Sequence, residues 1–157
     1  AHRLGDDIEI PDYISKNNNI INFTNTQNKC VFFCIAKFLN PDINPRRITS
    51  IVKDLFKQYC EFKNIEYSPK AYKEFEGIDL FDFHDLESLF LMNINVFSSD
   101  PETRELTFIR ESKMDFDKTM NVLDYEGHCL LIKNLESVEE YSRHREKWPI
   151  IEKLNVI

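Results

Sequence analysis

Long apolar runs are missing from this chain: no stretch approaches the roughly 18 residues that a membrane-spanning helix requires. No signal-peptide pattern opens it either, so a reducing compartment, cytoplasm or nucleus, is the expectation. The first residues are Ala-His-Arg rather than Met, as expected of a segment excised from a longer polypeptide. Long basic runs are also missing. With 20 Lys and Arg against 27 Asp and Glu, the net charge is −7, which repels a nucleic-acid backbone or an anionic membrane and leaves a protein or peptide as the fitting partner. Cysteine is sparse and poorly spaced for a disulfide framework: Cys30 and Cys34 stand one helical turn apart, with Cys60 and Cys129 dispersed, so free thiols are expected. Nor does a zinc site follow. The close Cys/His pairs are Cys30-x3-Cys34 inside a helix and His128-Cys129, whose side chains point to opposite faces of a strand. Glycine is absent between Gly5 and Gly77, and a tight turn belongs at Phe75-Glu76-Gly77-Ile78. Neither an internal repeat nor a long low-complexity tract is present.

The chain does have core material. Its 157 residues include 42% apolar side chains and 13 phenylalanines, enough for one domain that folds alone. Residues 1 to 26 are polar and Asn-rich and read as an N-terminal arm with one short strand; the sequon Asn22-Phe23-Thr24 is read as chance. Residues 27 to 157 form the domain proper. Apolar spacing predicts a buried helix from about Cys30 to Leu39, ended by Asn40-Pro41-Asp42, and an amphipathic helix from about Thr49 to Lys63. Glu61 to Tyr72 reads as polar linker. A helix over Phe83–Phe90 is followed by strands at Asn93–Phe97, Leu106–Ile109, Met120–Leu123 and His128–Lys133. Glu136 to Glu152 reads as a charged helix with Trp148 as packing anchor. The expected class is α+β, with a central buried helix packed on a small antiparallel sheet.

Cys30 sits where a turn-prone run, Gln27-Asn28-Lys29, meets that first helix. Unpaired N–H groups and the helix dipole favour thiolate there, the setting of a cysteine nucleophile. Of the four histidines, His128 is the one placed to be its base, opening the apolar run Cys129-Leu130-Leu131-Ile132 late in the chain. Its second ring nitrogen needs an acceptor. Side chains two apart on a strand share a face, so Glu126-x-His128 is the expected pair, with Asp124 in reserve and Asn134 reachable only after a chain reversal. The Cys30 N–H and the Gln27 amide are the expected oxyanion donors. Cys34, one turn on, reads as inert core, and His84 as surface or partner-facing.

The ordered motifs Asn28-Lys29-Cys30-Val31-Phe32, Phe75-Glu76-Gly77-Ile78, Asp85-Leu86-Glu87, Asn93-Ile94-Asn95-Val96-Phe97, Met120-Asn121-Val122-Leu123 and His128-Cys129-Leu130-Leu131-Ile132-Lys133-Asn134-Leu135 carry a resemblance over about residues 27 to 138. Together they resemble the cysteine-protease-like domain that precedes the polymerase in some eukaryotic mobile elements. That domain is similar to two papain-fold deubiquitinase groups, the ovarian-tumour family and the herpesviral large-tegument-like family. Glu126-Gly127-His128 is similar to the late Asp-x-His of the second, with Glu for Asp, while Leu130 and Gln27 depart from the pattern of the first. The resemblance implies a papain-like fold and hydrolysis after a ubiquitin C-terminal tail of Leu-Arg-Gly-Gly type, lying in a narrow groove. Asp79, Asp82 or Asp85 would hold its arginines. Ubiquitin or polyubiquitin is the implied partner of a monomeric enzyme, and no cofactor or metal is implied. The rival expectations are a polyprotein-processing peptidase with the same residues and a non-catalytic module of the same fold that binds ubiquitin or another protein.

Overall fold

The ten residues Cys30–Leu39 contain no proline or glycine and are apolar at nearly every position, so the helix they form must be buried on most sides. It is α2 in a computed structural model that describes residues 2–138. The other helices are α1 (Asp12–Ser15), α3 (Ile48–Phe62), α4 (Pro69–Lys73) and α5 (Phe83–Phe90). The strands are β1 (Arg3–Leu4), β2 (Ile20–Ile21), β3 (Ile78–Asp79), β4 (Asn93–Ser99), β5 (Leu106–Arg110), β6 (Thr119–Tyr125) and β7 (His128–Ile132). The architecture is mixed α+β. In α3, Val52, Leu55, Phe56, Tyr59 and Cys60 are buried, the i, i+3, i+4, i+7, i+8 stripe of an amphipathic helix. That stripe meets α2 through aromatic rings, Phe32 lying 5.8 Å from Phe56 and 5.5 Å from Tyr59, with Phe75 of the segment after α4 5.9 Å away.

The main sheet runs β2-β7-β6-β4-β5. Its β4–β6 pair is parallel, whereas the sequence pattern suggested an antiparallel sheet throughout. The reason lies in residues 111–118, which bring the chain back along the sheet before β6 starts. Asn93 holds that return segment, accepting from Phe116 N (3.0 Å) and donating to Phe116 O (2.8 Å), and Asn95 accepts from Ser112 N at 2.8 Å. Thr119 therefore starts level with Asn93 and runs in its direction. On one sheet face Cys129 and Leu131 join the α2–α3 core. On the other, Leu130 and Ile132 pack with Ile14, Phe97, Leu123 and Val138.

Residues before Thr26 are not a separate arm. Strand β2 pairs with β7 (Ile20↔Ile132, Ile21↔Leu131), β1 pairs with β3, and Leu4 and Ile14 are buried in the two cores. The expected linker also contains structure: Ser68 Oγ accepts from Ala71 N at 3.0 Å and Pro69 opens α4, a capped helix start. Gly77 takes the positive φ of +107° that favours glycine, but residues 75–77 form no hydrogen-bonded turn and lead extended into β3. Residues 135–138 are helical, where a helix over Glu136 to Glu152 was expected to begin; the rest of that span, with Trp148, lies outside the described residues.

Candidate functional site

Gln27 and Asn28 take left-handed φ values of 50° and 64°, a conformation asparagine tolerates, and so turn the chain sharply into α2. Asp7 clamps this turn by accepting from Thr26 N (3.0 Å), Thr26 Oγ1 (2.7 Å) and Gln27 N (3.3 Å). Below it lies a buried lysine. Lys29 donates to Gln27 O (2.6 Å) and Tyr72 O (2.8 Å) and sits 4.1 Å over the Tyr72 ring; burial lowers its pKa while Asp7 pulls it back. Cys30 thus becomes the first residue of α2. Its thiol is wholly buried and accepts from Cys129 N at 3.4 Å. Burial pushes the thiol well above its ordinary range, the Cys129 thiol and the Asp7 carboxylate push the same way, and the N–H groups of Cys129 and Val31 are outweighed. In this state the helix start does not favour thiolate, because no water reaches it.

His128 is set by a hairpin. Tyr125 pairs with His128 across the two-residue loop Glu126-Gly127, whose φ values of 48° and 91° are the two positive angles of a type I′ turn. The ring is nearly inaccessible and both nitrogens have oxygen partners: Nδ1–H donates to the Asp6 carbonyl at 2.6 Å, and Nε2 lies 2.6 Å from Asn22 Oδ1. Asp7 Oδ1 stands 3.9 Å from Nδ1. Since a carbonyl oxygen only accepts, Nδ1 carries a proton and is no base here. Cys30 therefore neighbours the backbone beside His128, and among the described residues no hydrogen bond joins the thiol to the ring. The Asp6 carbonyl occupies Nδ1 instead, and the β7 side chains that join the α2 core are Cys129 and Leu131.

The acceptor role expected of Glu126 is not found: the residue is exposed in the turn, and the ring's oxygen partners are Asp6 and Asn22. A left-handed turn position breaks the two-residue alternation on which the pairing with Glu126 rested. Asp124, the reserve, accepts from Gly127 N at 2.8 Å and pairs with His2, so it holds the hairpin. Asn134 accepts from Ser137 N (3.0 Å), and the Gln27 side chain is exposed. Asp82 and Asp85 both pair with Lys63, at 3.3 and 2.6 Å, and these bonds hold the lysine above its ordinary range. They are neutralised rather than free for an arginine. Asp79 accepts from Phe81 N at 3.0 Å, and its backbone stands opposite Arg3. Cys34 is buried with its sulfur 3.8 Å from that of Cys129, as core residues would be, and all four cysteines are free. His84 is exposed.

Comparisons of the chain with protein-family models, with curated proteins and with solved structures found no match.

Two features were not anticipated. Asn22, set aside as part of a chance sequon, holds the His128 ring; the signal was available in the apolar pair Ile20-Ile21, which makes a strand beside β7 and carries the next residue to the ring. The second is the path of residues 3–7. Gly5 N and Asp6 N both donate to Gly127 O (2.7 and 3.1 Å), and Arg3 Nη1 reaches Glu76 Oε2 at 2.6 Å. A side chain on Gly5 would stand 2.9 Å from Gly77 Cα and 3.2 Å from the Asn28 carbonyl, so only glycine passes there. At the Asp7 end of this segment, a cleft of about 220 Å³ opens beside His128, lined by Asp7, Glu9, Asn22 and Phe23 among others. Among the described residues no three His, Cys, Asp or Glu side chains group as a metal ion would need, and no helix is long and apolar enough to cross a membrane.

Proposed function

We propose that this chain is a papain-like cysteine peptidase domain, an isopeptidase cleaving after the C-terminal tail of ubiquitin, with Cys30 as nucleophile and His128 as general base and acid. The observation that carries the reading is the arrangement at the start of α2: Cys30 Sγ lies 3.4 Å from the backbone nitrogen next to His128, and Asn22 holds the far ring nitrogen of that histidine at 2.6 Å. Asn22 replaces Glu126 as the orienting residue. With Nε2–H donating to Asn22 Oδ1, Nδ1 is the nitrogen left for the thiol once the Asp6 carbonyl withdraws and the Nδ1 proton passes to solvent. It would then take the Cys30 proton, the thiolate would add to the acyl carbon, and the imidazolium would protonate the leaving amine. Water would then hydrolyse the thioester, returning the thiol. A narrow passage between Gly77 and the Asn28 carbonyl, with Glu76 at its acidic end, suits a tail of arginine and glycine; Glu76 takes the part expected of Asp82 and Asp85.

A ubiquitin probe carrying a C-terminal electrophile tests this. Wild type and Cys34→Ala are expected to gain the mass of one ubiquitin on prolonged incubation, and Cys30→Ala and His128→Ala are expected not to. Reaction of every variant except Cys34→Ala would move the nucleophile; reaction of none would remove the peptidase reading. One observation favours a second reading, a non-catalytic module of the same fold that binds ubiquitin or another protein: Cys30 is buried and its thiol is not bonded to His128. Ubiquitin binding that survives in Cys30→Ala, with no covalent product from wild type, is the result expected of that module.

A further inference from the structure

We propose that residues Arg3–Asp7 are an intramolecular strap seated in the substrate passage, which keeps Cys30 and His128 covered until it is displaced; the regulatory meaning rests on the peptidase reading, the geometry does not. The strap is fastened along its whole length. His2 pairs with Asp124 and accepts from Leu80 N at 3.0 Å. Arg3 and Leu4 form a two-stranded ladder with Asp79 and Ile78, the guanidinium on Glu76 and the leucine side chain fully buried. Gly5 fills the narrowest point. Built on Gly77, a side chain would meet the Leu4 carbonyl at 2.6 Å, so the two glycines let the two backbones touch. Asp6 then gives its carbonyl to His128 Nδ1 at 2.6 Å, and Asp7 closes over the turn that precedes Cys30.

Read in order, the segment presents a cation, a leucine and a glycine to an acidic side chain, an apolar pocket and a glycine-wide gap. That is how the chain would hold an extended peptide, except that the residue beyond the glycine caps the catalytic nitrogen instead of offering it a carbonyl to attack. Main-chain pairing to a short strand supplies affinity, and the side-chain pockets supply selectivity. A strap of so few residues opens more readily than the core does, so it can act as a gate without unfolding the domain.

The test measures covering rather than catalysis. The full chain is exposed to iodoacetamide and each cysteine is quantified by peptide mass in wild type, Gly5→Val and Arg3→Glu. Valine at position 5 collides with backbone atoms of Gly77 and Asn28, while glutamate at position 3 meets Glu76 without touching the core. Cys30 is expected to alkylate about tenfold faster or more in Gly5→Val and by a smaller factor in Arg3→Glu, with Cys34 and Cys129 protected in all three. Equal rates at Cys30 in all three proteins would overturn the strap, as would a rise shared by Cys34 and Cys129, which marks general unfolding. The ubiquitin electrophile applied to Gly5→Val separates the two claims: fast alkylation without a ubiquitin adduct removes the peptidase reading and leaves the strap standing.

Discussion

Glu126 and Asn22 show how one backbone angle redirects a site. Glu126 lies two residues from His128, which on a continuous strand would put both side chains on one face. At φ 48° it is instead the first of two left-handed turn residues, and its carboxylate is exposed. Asn22, more than a hundred residues away, has its Oδ1 2.6 Å from Nε2 of the ring. Two substitutions separate these roles. Asn22→Ala is expected to lower kcat on a ubiquitin substrate by about 10²-fold or more, as loss of an oriented acid–base group does, whereas Glu126→Ala should leave it within about twofold. A fall with Glu126→Ala equal to that with Asn22→Ala would return the orienting role to the glutamate. Glu126→Asn serves as a stability readout at the same position: asparagine suits a type I′ turn, and a gain of about 0.5–1 kcal/mol in chemical denaturation is expected. The Cys30 thiol teaches a related lesson. Its position at the start of a buried helix was legible in the sequence, but the closing of residues 3–7 over that start was not, because those residues are distant in the chain and are placed only once β1 has paired with β3.

Among the elements, α2, α3 and α5 begin and end within one residue of where apolar spacing and the flanking Asn40-Pro41 place them. Those signals act within one or two turns. Strand partners do not announce themselves that way: β4 and β6 were legible as strands, but their parallel pairing depends on polar side chains that fasten residues 111–118. Glu87 is the centre of that fastening. Fully buried in the second turn of α5, it bonds Arg110 Nη2 at 2.6 Å, Ile94 N at 2.9 Å and the Ser112 hydroxyl, tying helix, β4 and return segment together. Burial alone would raise its pKa, but the Arg110, Ser112 and Ile94 donors together lower it below its ordinary value near 4.5. A carboxylate with a depressed folded pKa stabilises the fold above the unfolded value and loses that contribution as pH falls through the folded one. Glu87→Gln is therefore expected to cost about 1.5–3 kcal/mol at neutral pH, the range for hydrogen bonds to a charged group. The gap to wild type should close as pH drops below about 4.5, the ordinary value from which the shift starts, and thermal melts of both proteins across that range check it. A gap that stays constant would mean the carboxylate is not ionised in the fold.

At the scale of the whole molecule, the first 26 residues are bound into both sheets, as β1 beside β3 and as β2 at one edge of the main sheet, rather than appended to them. Polar, Asn-rich composition suggested an arm because the apolar residues that matter there, Leu4, Ile14 and the pair Ile20-Ile21, are separated by polar stretches. Each is nonetheless a keystone for a different neighbour: Leu4 enters the α2–α3 core, Ile14 covers the opposite sheet face, and the two isoleucines make the outer strand beside β7. Removing residues 1–26 would strip two fully buried side chains, each contributing about 1.5–3 kcal/mol, from a domain whose total stability is about 5–15 kcal/mol. It would also leave His128 without its Asp6 and Asn22 partners and unclamp the turn before Cys30. The chain beginning at Gln27 is therefore expected to lose its cooperative thermal transition, while Gly5→Val, which lifts only the strap, keeps one at reduced midpoint. If the truncated chain melts cooperatively near the wild-type midpoint, then β2 and α1 are ornaments, and the domain boundary belongs at residue 27 after all. If it does not, the residues that cover the site also complete the fold, and release of the site must come from local displacement of residues 3–7 with β2 left in place.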